Sequence, residues 1–318
     1  MNKLRLAVMV LLVLPSPQRR APLIPNVDHH QHLFSPETAA LATGFKPLDA
    51  ADLVRLLDNA SIQRALVLSV AYQFGNPNRP SVQDEYARVK AENDWTSAQV
   101  ARFPDRLRGF CGVNPLKDYA LEEIERCAKD RWLHFGLKMH FGNSDVNLDD
   151  PRHVEQLQRI FRAANSYGMA IAIHMRASIT RQRSYGAKEA RHFLEDVLTS
   201  APDIPIQIAH LAGGGGYDDP STDDALSVFA EAIEHKDPRM AHVYFDISGV
   251  VGIGSWSEKA DLIVKRVRQI GVQRTLYGSD SATGGGLPPA EMWARLLQLP
   301  LSQDEFRQIA NNIAPYMQ

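Results

Sequence analysis

The chain has 318 residues, 44% of them hydrophobic, 23% charged and 8% aromatic, a composition that supplies a large core and excludes a disordered protein. A net charge of -2 offers no basic field to gather phosphates, so the expected partner is a small molecule and not nucleic acid. Length alone accommodates one large α/β barrel or two ordinary domains.

In chain order, the apolar run "LAVMVLLVLP" follows Lys3 and Arg5 and has the length and flanks of a signal-peptide core. It is too short to span a bilayer, and no spanning segment is expected. The following "SPQRRAP" carries two arginines where a signal peptidase prefers small neutral residues. Residues 1–24 are read as a signal-like or disordered segment, with export to the periplasm or exterior expected and cytoplasmic residence the alternative. From residue 25 to 318 a single domain is expected. Short apolar or β-branched runs recur there, each followed by a stretch of helical periodicity.

Eight runs read as strands: "NVDHHQ", "RALVLSV", "LRGFCGV", "FGLKMH", "MAIAIHM", "IPIQIAH", "HVYFDIS" and "RTLYGSD". Between them, segments such as "DAADLVRLLDNA", "ALEEIERCAKD" and "PRHVEQLQRIFRAANSYG" space apolar residues for helices. Asp150-Pro151 and Ser257-Glu258 supply helix starts, and Gly168 and Gly271 supply stops. Eight strand-helix units without a linker predict a (β/α)8 TIM barrel, with a doubly wound open sheet as runner-up. No G-x-G-x-x-G follows the first strand, which counts against dinucleotide binding. The glycine runs 213–216 and 284–286 lack a P-loop lysine and read as strand-to-helix loops. Cys111 and Cys127 read as free buried thiols. Trp95 and Phe161 read as core. The sequence carries no mark of oligomeric state; a homo-oligomer is compatible with it.

In a barrel the C-terminal strand ends converge on one face, where active sites lie. Strand one ends in His30-x-His32, two side chains on the same face. Strand five ends in His174, strand six in His210 and strand eight in Asp280; strand four carries Lys138 and His140. Four imidazoles and a carboxylate at one mouth form a ligand set for zinc or another borderline divalent ion, with manganese also compatible. His29 alternates away and is expected to pack outward. His134, His153, His192, His235 and His242 fall on helices or strand starts and read as structural or solvated.

"DHHQH", "GLKMH", "IAIHMR", "IQIAHLAG" and "LYGSD", taken in order, resemble the amidohydrolase superfamily, in its amidohydrolase-related group of metal-dependent barrel hydrolases and lyases. "NNIAP" is similar to that group's closing helix. The resemblance implies one or two metals held by His30, His32, His174 and Asp280. It implies that His210 binds a second metal or polarises a substrate carbonyl. Lys138 is then either carboxylated and bridging two metals or unmodified, and an ion pair with Asp280 or Asp28 would also satisfy it. Bound water of lowered pKa, with Asp280 as general base and acid and His210 stabilising an oxyanion, leads to hydrolysis of an amide, ester or lactone. The alternative is a decarboxylase or other lyase on the same barrel, and a minor one is a non-catalytic exported metal or solute binder. Arg176 is expected to clamp a substrate carboxylate, His140 to donate to substrate or orient a ligand, and Tyr72 to form a pocket wall.

Overall fold

A computed structural model describes residues 23–41, 45–176, 183–217, 220–252, 254–281 and 286–318. The signal-like run and Gly284 and Gly285 lie outside the described residues. Eight parallel strands follow one another around a barrel in chain order. They are β1 Val27–Gln31, β2 Arg64–Leu68, β3 Leu107–Gly112, β4 Gly136–His140, β5 Ala170–His174, β6 Ile206–Ile208, β7 Val243–Asp246 and β8 Thr275–Leu276. All eight predicted runs contain them, and the (β/α)8 expectation holds. Among the described residues, no helix is long and apolar enough to cross a membrane.

Alternation along the strands sorts the side chains into two sets. Val67, Met139, Ile173, Ile208 and Phe245 belong to the large core between barrel and helices. Leu66, Leu68, Phe110, Ala170 and Ala172 form a second cluster with Tyr316 and Met317, which close the barrel floor. Two backbone hydrogen bonds join the first strand to the last: His29 N donates to Tyr277 O at 2.8 Å and Asp280 N to His30 O at 2.9 Å.

The helix over Pro151–Tyr167 begins as read, with Asp150 accepting from Arg152 N and proline in the first turn. It ends at Gly168, whose φ of 67° needs a residue without a Cβ. Ser257 instead falls inside a tight turn, Trp256–Lys259, and the helix proper starts at Ala260.

Two expectations are corrected. Cys111 and Cys127 are joined as a disulfide, because the outward face of β3 meets the inner face of the helix Ala120–Ala128 with their Cα atoms 6.1 Å apart. His29 does not pack outward, because pairing register with β2 shifts between Asp28 and Gln31 and breaks strict alternation. Its ring is fully buried; Nδ1–H donates to Tyr277 O at 3.1 Å and Nε2 accepts from Ala314 N at 3.3 Å.

Burial pulls the His29 imidazole down to about 4 from its ordinary 6.5. Between those values the folded state binds fewer protons than the unfolded chain, so His29 subtracts stability as pH falls. Asp28 does the reverse: burial lifts its carboxyl to about 6, and its contribution grows as pH falls from there toward 3.8. Comparison with His29→Asn separates the two. From neutral pH to pH 4, the parent's stability advantage over that variant should shrink by on the order of 3 kcal/mol in denaturant unfolding. A difference independent of pH would refute the assignment.

Candidate active site

His30 and His32 leave the end of β1 together, with Nε2 atoms 3.3 Å apart. The Nδ1 of His30 meets Asp246 Oδ2 at 2.9 Å, and that of His32 meets the carbonyl of Leu68 at 2.6 Å. Both partners only accept, so each ring carries its proton on Nδ1 and turns an Nε2 lone pair inward. Two acceptors at that distance cannot satisfy each other. His210 repeats the pattern, its Nδ1–H donating to Ser248 O at 2.8 Å. The carboxylate Oδ1 of Asp280 lies 3.6 Å from His32 Nε2 and 4.0 Å from His30 Nε2. Ligand atoms of His30, His210 and Asp280 all fall within 4.8 Å of one another. Burial first, then neighbouring positive groups, hold His32 and His210 below their ordinary pKa, in the neutral form that ligates metals. This donor set fits a divalent cation.

Lys138 is buried, with Nζ 3.4 Å from His30 Nε2. Burial lowers its ammonium to about 8, against the opposing charges of Asp280 and Asp246. Asp28 is engaged elsewhere: it accepts from the backbone of His30 and Ser279, from the Gln31 amide and from the Ser279 hydroxyl. His140 and His174 form a separate pair, stacked with ring centroids 3.7 Å apart, and His174 stands edge-on to His210 at 5.0 Å. His140 has the opposite tautomer to the first three: its Nδ1 accepts from Asn143 N at 3.1 Å, so its proton sits on Nε2. It is a donor by construction.

His30, His32, Lys138, His140, His174, His210 and Asp280 line one cavity of about 300 Å³ together with Phe34, Phe45, Tyr72 and Asn143. Tyr72 is buried 5.5 Å from the His140 ring, and burial, then the Asp280 charge, pushes its hydroxyl far above its ordinary pKa. Phe34 packs on Phe45 at 4.9 Å and on His32 at 6.3 Å. Arg176 is not among the cavity-lining residues; it runs behind Gly214, where an added Cβ would lie 2.9 Å from its Cδ.

Asp246, at the end of β7, is the residue that sequence reading missed. It is fully buried and accepts from His30 Nδ1, Gln207 Nε2, the backbone N–H of His210 and Ser248, and the Ser248 hydroxyl. Burial would raise its pKa, but the neighbouring His30 and His210, with the hydrogen bonds from His30 and Ser248, hold it well below the carboxylate range. The available signal was an aspartate at a strand end within "HVYFDIS". Two site residues also bear backbone strain: Asp280 has φ 52° and His210 φ 55°, the latter followed by Leu211 and Ala212 also at positive φ.

The sequence profile of the family described as Amidohydrolase, in its amidohydrolase-2 form, matches residues 27–312. The chain therefore belongs to the amidohydrolase family. Gamma-resorcylate decarboxylase from Polaromonas sp. (strain JS666 / ATCC BAA-500) is 32% identical over 120 residues, 31% of this chain and 34% of that enzyme. The matched stretch thus spans about a third of the relative's length. Among solved structures, a 5-carboxyvanillate decarboxylase from Sphingomonas paucimobilis has a TM-score of 0.61 at 16% identity, covering 91% of this chain and 97% of that one. A probable 2-pyrone-4,6-dicarboxylic acid hydrolase from Acinetobacter baumannii with bound citric acid gives the same four values, 0.61, 16%, 91% and 97%. A dihydroxybenzoic acid decarboxylase from Polaromonas sp. JS666, with bound manganese and 2-nitroresorcinol, gives 0.60, 17%, 91% and 95%. At these identities the structures speak to the shared barrel.

Proposed function

We propose that the chain is a metal-dependent, non-oxidative decarboxylase of a hydroxylated aromatic acid. The expectation of amide, ester or lactone hydrolysis is set second, since the similar proteins of stated activity include more decarboxylases than hydrolases. The observation that carries the reading is the make-up of the cavity: a cluster of imidazole and carboxylate donors shares it with the rings of Phe34, Phe45 and Tyr72. Such a cavity takes a flat apolar ring bearing adjacent anionic oxygens.

His30, His32, His210 and Asp280 would hold one divalent ion, manganese or zinc, which when bound supplies a Lewis acid for the substrate's oxygens. Lys138 keeps its amine in this reading. With a pKa near 8 it is cationic at neutral pH and supports the substrate's negative charge. The Nε2–H of His140 donates to a substrate oxygen, and the aromatic side chains flank the ring. Asp280 relays a proton from solvent to the ring carbon that bears the carboxylate. The bond from that carbon to the carboxylate then breaks, its electron pair stays with the ring, and carbon dioxide leaves. Solvent returns the proton to Asp280.

The test is carbon dioxide release from a panel of mono- and dihydroxybenzoates, run beside esters, amides and lactones. Turnover should vanish on chelation and return with manganese or zinc, and the intact mass should show no added carboxyl group on Lys138. Hydrolysis of a lactone or ester without carbon dioxide release would overturn the reading.

A further inference from the structure

The donor of the metal site that sits deepest, His30, is tied to the barrel floor by an unbroken run of buried hydrogen bonds. The Tyr316 hydroxyl donates to Gln207 Oε1. The Gln207 amide donates to Asp246 Oδ2 at 2.6 Å and to the backbone carbonyl of His29 at 3.1 Å. Asp246 Oδ2 accepts in turn from His30 Nδ1 at 2.9 Å. Gln207, Asp246 and His30 are each at most 1% exposed, and Tyr316 is 7% exposed.

The direction of each bond follows from what its members can do. A carboxylate and a carbonyl only accept, so both bonds from the Gln207 nitrogen are obligatory and its oxygen must face the floor. There it needs a donor, and the Tyr316 hydroxyl supplies one. Without it, a buried amide oxygen is left unmet, and the amide is free to rock away from Asp246. Tyr316 itself is seated by a bond from Arg108 Nη1 to its carbonyl at 2.9 Å and by its ring against Phe110 at 5.1 Å.

We propose that Tyr316 is a positioning residue for the metal centre, acting through Gln207 and Asp246 on the orientation of His30. The floor of the barrel thereby sets the affinity of a site at its mouth. This rests on the metal site described above and not on which bond of the substrate is cleaved.

The experiment compares the full-length parent with Tyr316→Phe, which keeps the ring and removes one oxygen, and with Arg108→Gln, which loosens the same segment without breaking the run of bonds. Manganese and zinc affinities are measured by competition with a chelator, unfolding by denaturant, and the His30 Nδ1 proton by NMR of metal-free protein. Tyr316→Phe should lose roughly tenfold in metal affinity, the low end for an outer partner of a ligating histidine, and should shift the His30 proton upfield. Arg108→Gln should lose stability with parental affinity and an unmoved His30 signal. The proposal is overturned if Tyr316→Phe binds metal within about twofold of the parent, or if Arg108→Gln loses as much affinity. A parent that binds neither ion would sink the metal reading; the His30 signal would then decide the hydrogen-bond proposal by itself, an unmoved proton overturning it.

Discussion

Asp280→Asn should lower turnover by about a thousandfold, the middle of the range that positioned acid-base groups contribute. An asparagine of the same shape cannot carry the proton that the ring carbon needs, while His30, His32 and His210 still turn three Nε2 atoms to the same spot. Substrate KM should stay within a few-fold, and metal content near that of the parent once the ion is supplied in excess. The measurement is steady-state decarboxylation alongside metal analysis of the same samples. A variant with full metal and more than about a tenth of parental turnover would remove Asp280 from the proton transfer. Loss of activity that excess metal restores would instead make it a ligand alone.

The second large effect is expected at Asp246. Replacement by alanine strips the acceptor from His30, Gln207, the Ser248 hydroxyl and two backbone N–H groups at one buried point. Breaking a buried charge from its partners costs about 3–5 kcal/mol, so the denaturation midpoint should fall sharply. Metal affinity should fall about 10- to 100-fold, because the carboxylate that holds the His30 proton on Nδ1 is gone and only the Ser248 hydroxyl, 3.1 Å from that nitrogen, is left to accept it. Asp246→Asn keeps one acceptor oxygen and should fold with a smaller loss of both. If either variant folds and binds metal like the parent, the carboxylate does not orient His30.

Asp246 also marks how far the sequence could be read. The eight strands were legible because parallel barrel strands are buried on both faces and stand out as short apolar runs between helical periods. That His30, His32, His174, His210 and Asp280 face one cavity was legible because polar side chains at the ends of apolar runs have no packing role to compete with. Asp246 obeys the same rule, but a lone aspartate near a serine resembles an ordinary turn; two of its five donors belong to Ser248, two residues on, and the other three to His30, Gln207 and His210, far away in the chain. The inward turn of His29 was hidden by a register shift that leaves no mark in residue type. The Cys111–Cys127 pairing depends on how one helix lies on one strand, which spacing does not encode. Phe34 and Phe45 reach the cavity from the loop after β1, where apolar residues show no period.

The seam between β1 and β8 bears on how the protein is made. Its backbone bonds join His29 to Tyr277 and His30 to Asp280, and the side chain of Asp28 reaches Ser279 across 251 residues of sequence. Contacts of such separation form late, after the loop entropy between them has been overcome by everything else. The same seam brings Asp280 to His30 and His32. A chain still emerging from the ribosome, or stalled before its eighth strand, therefore has its paired histidines but no carboxylate to complete the donor set. On the proposed ligand set, full coordination would report that the barrel has closed, and the ion would add its binding energy to the closed state alone.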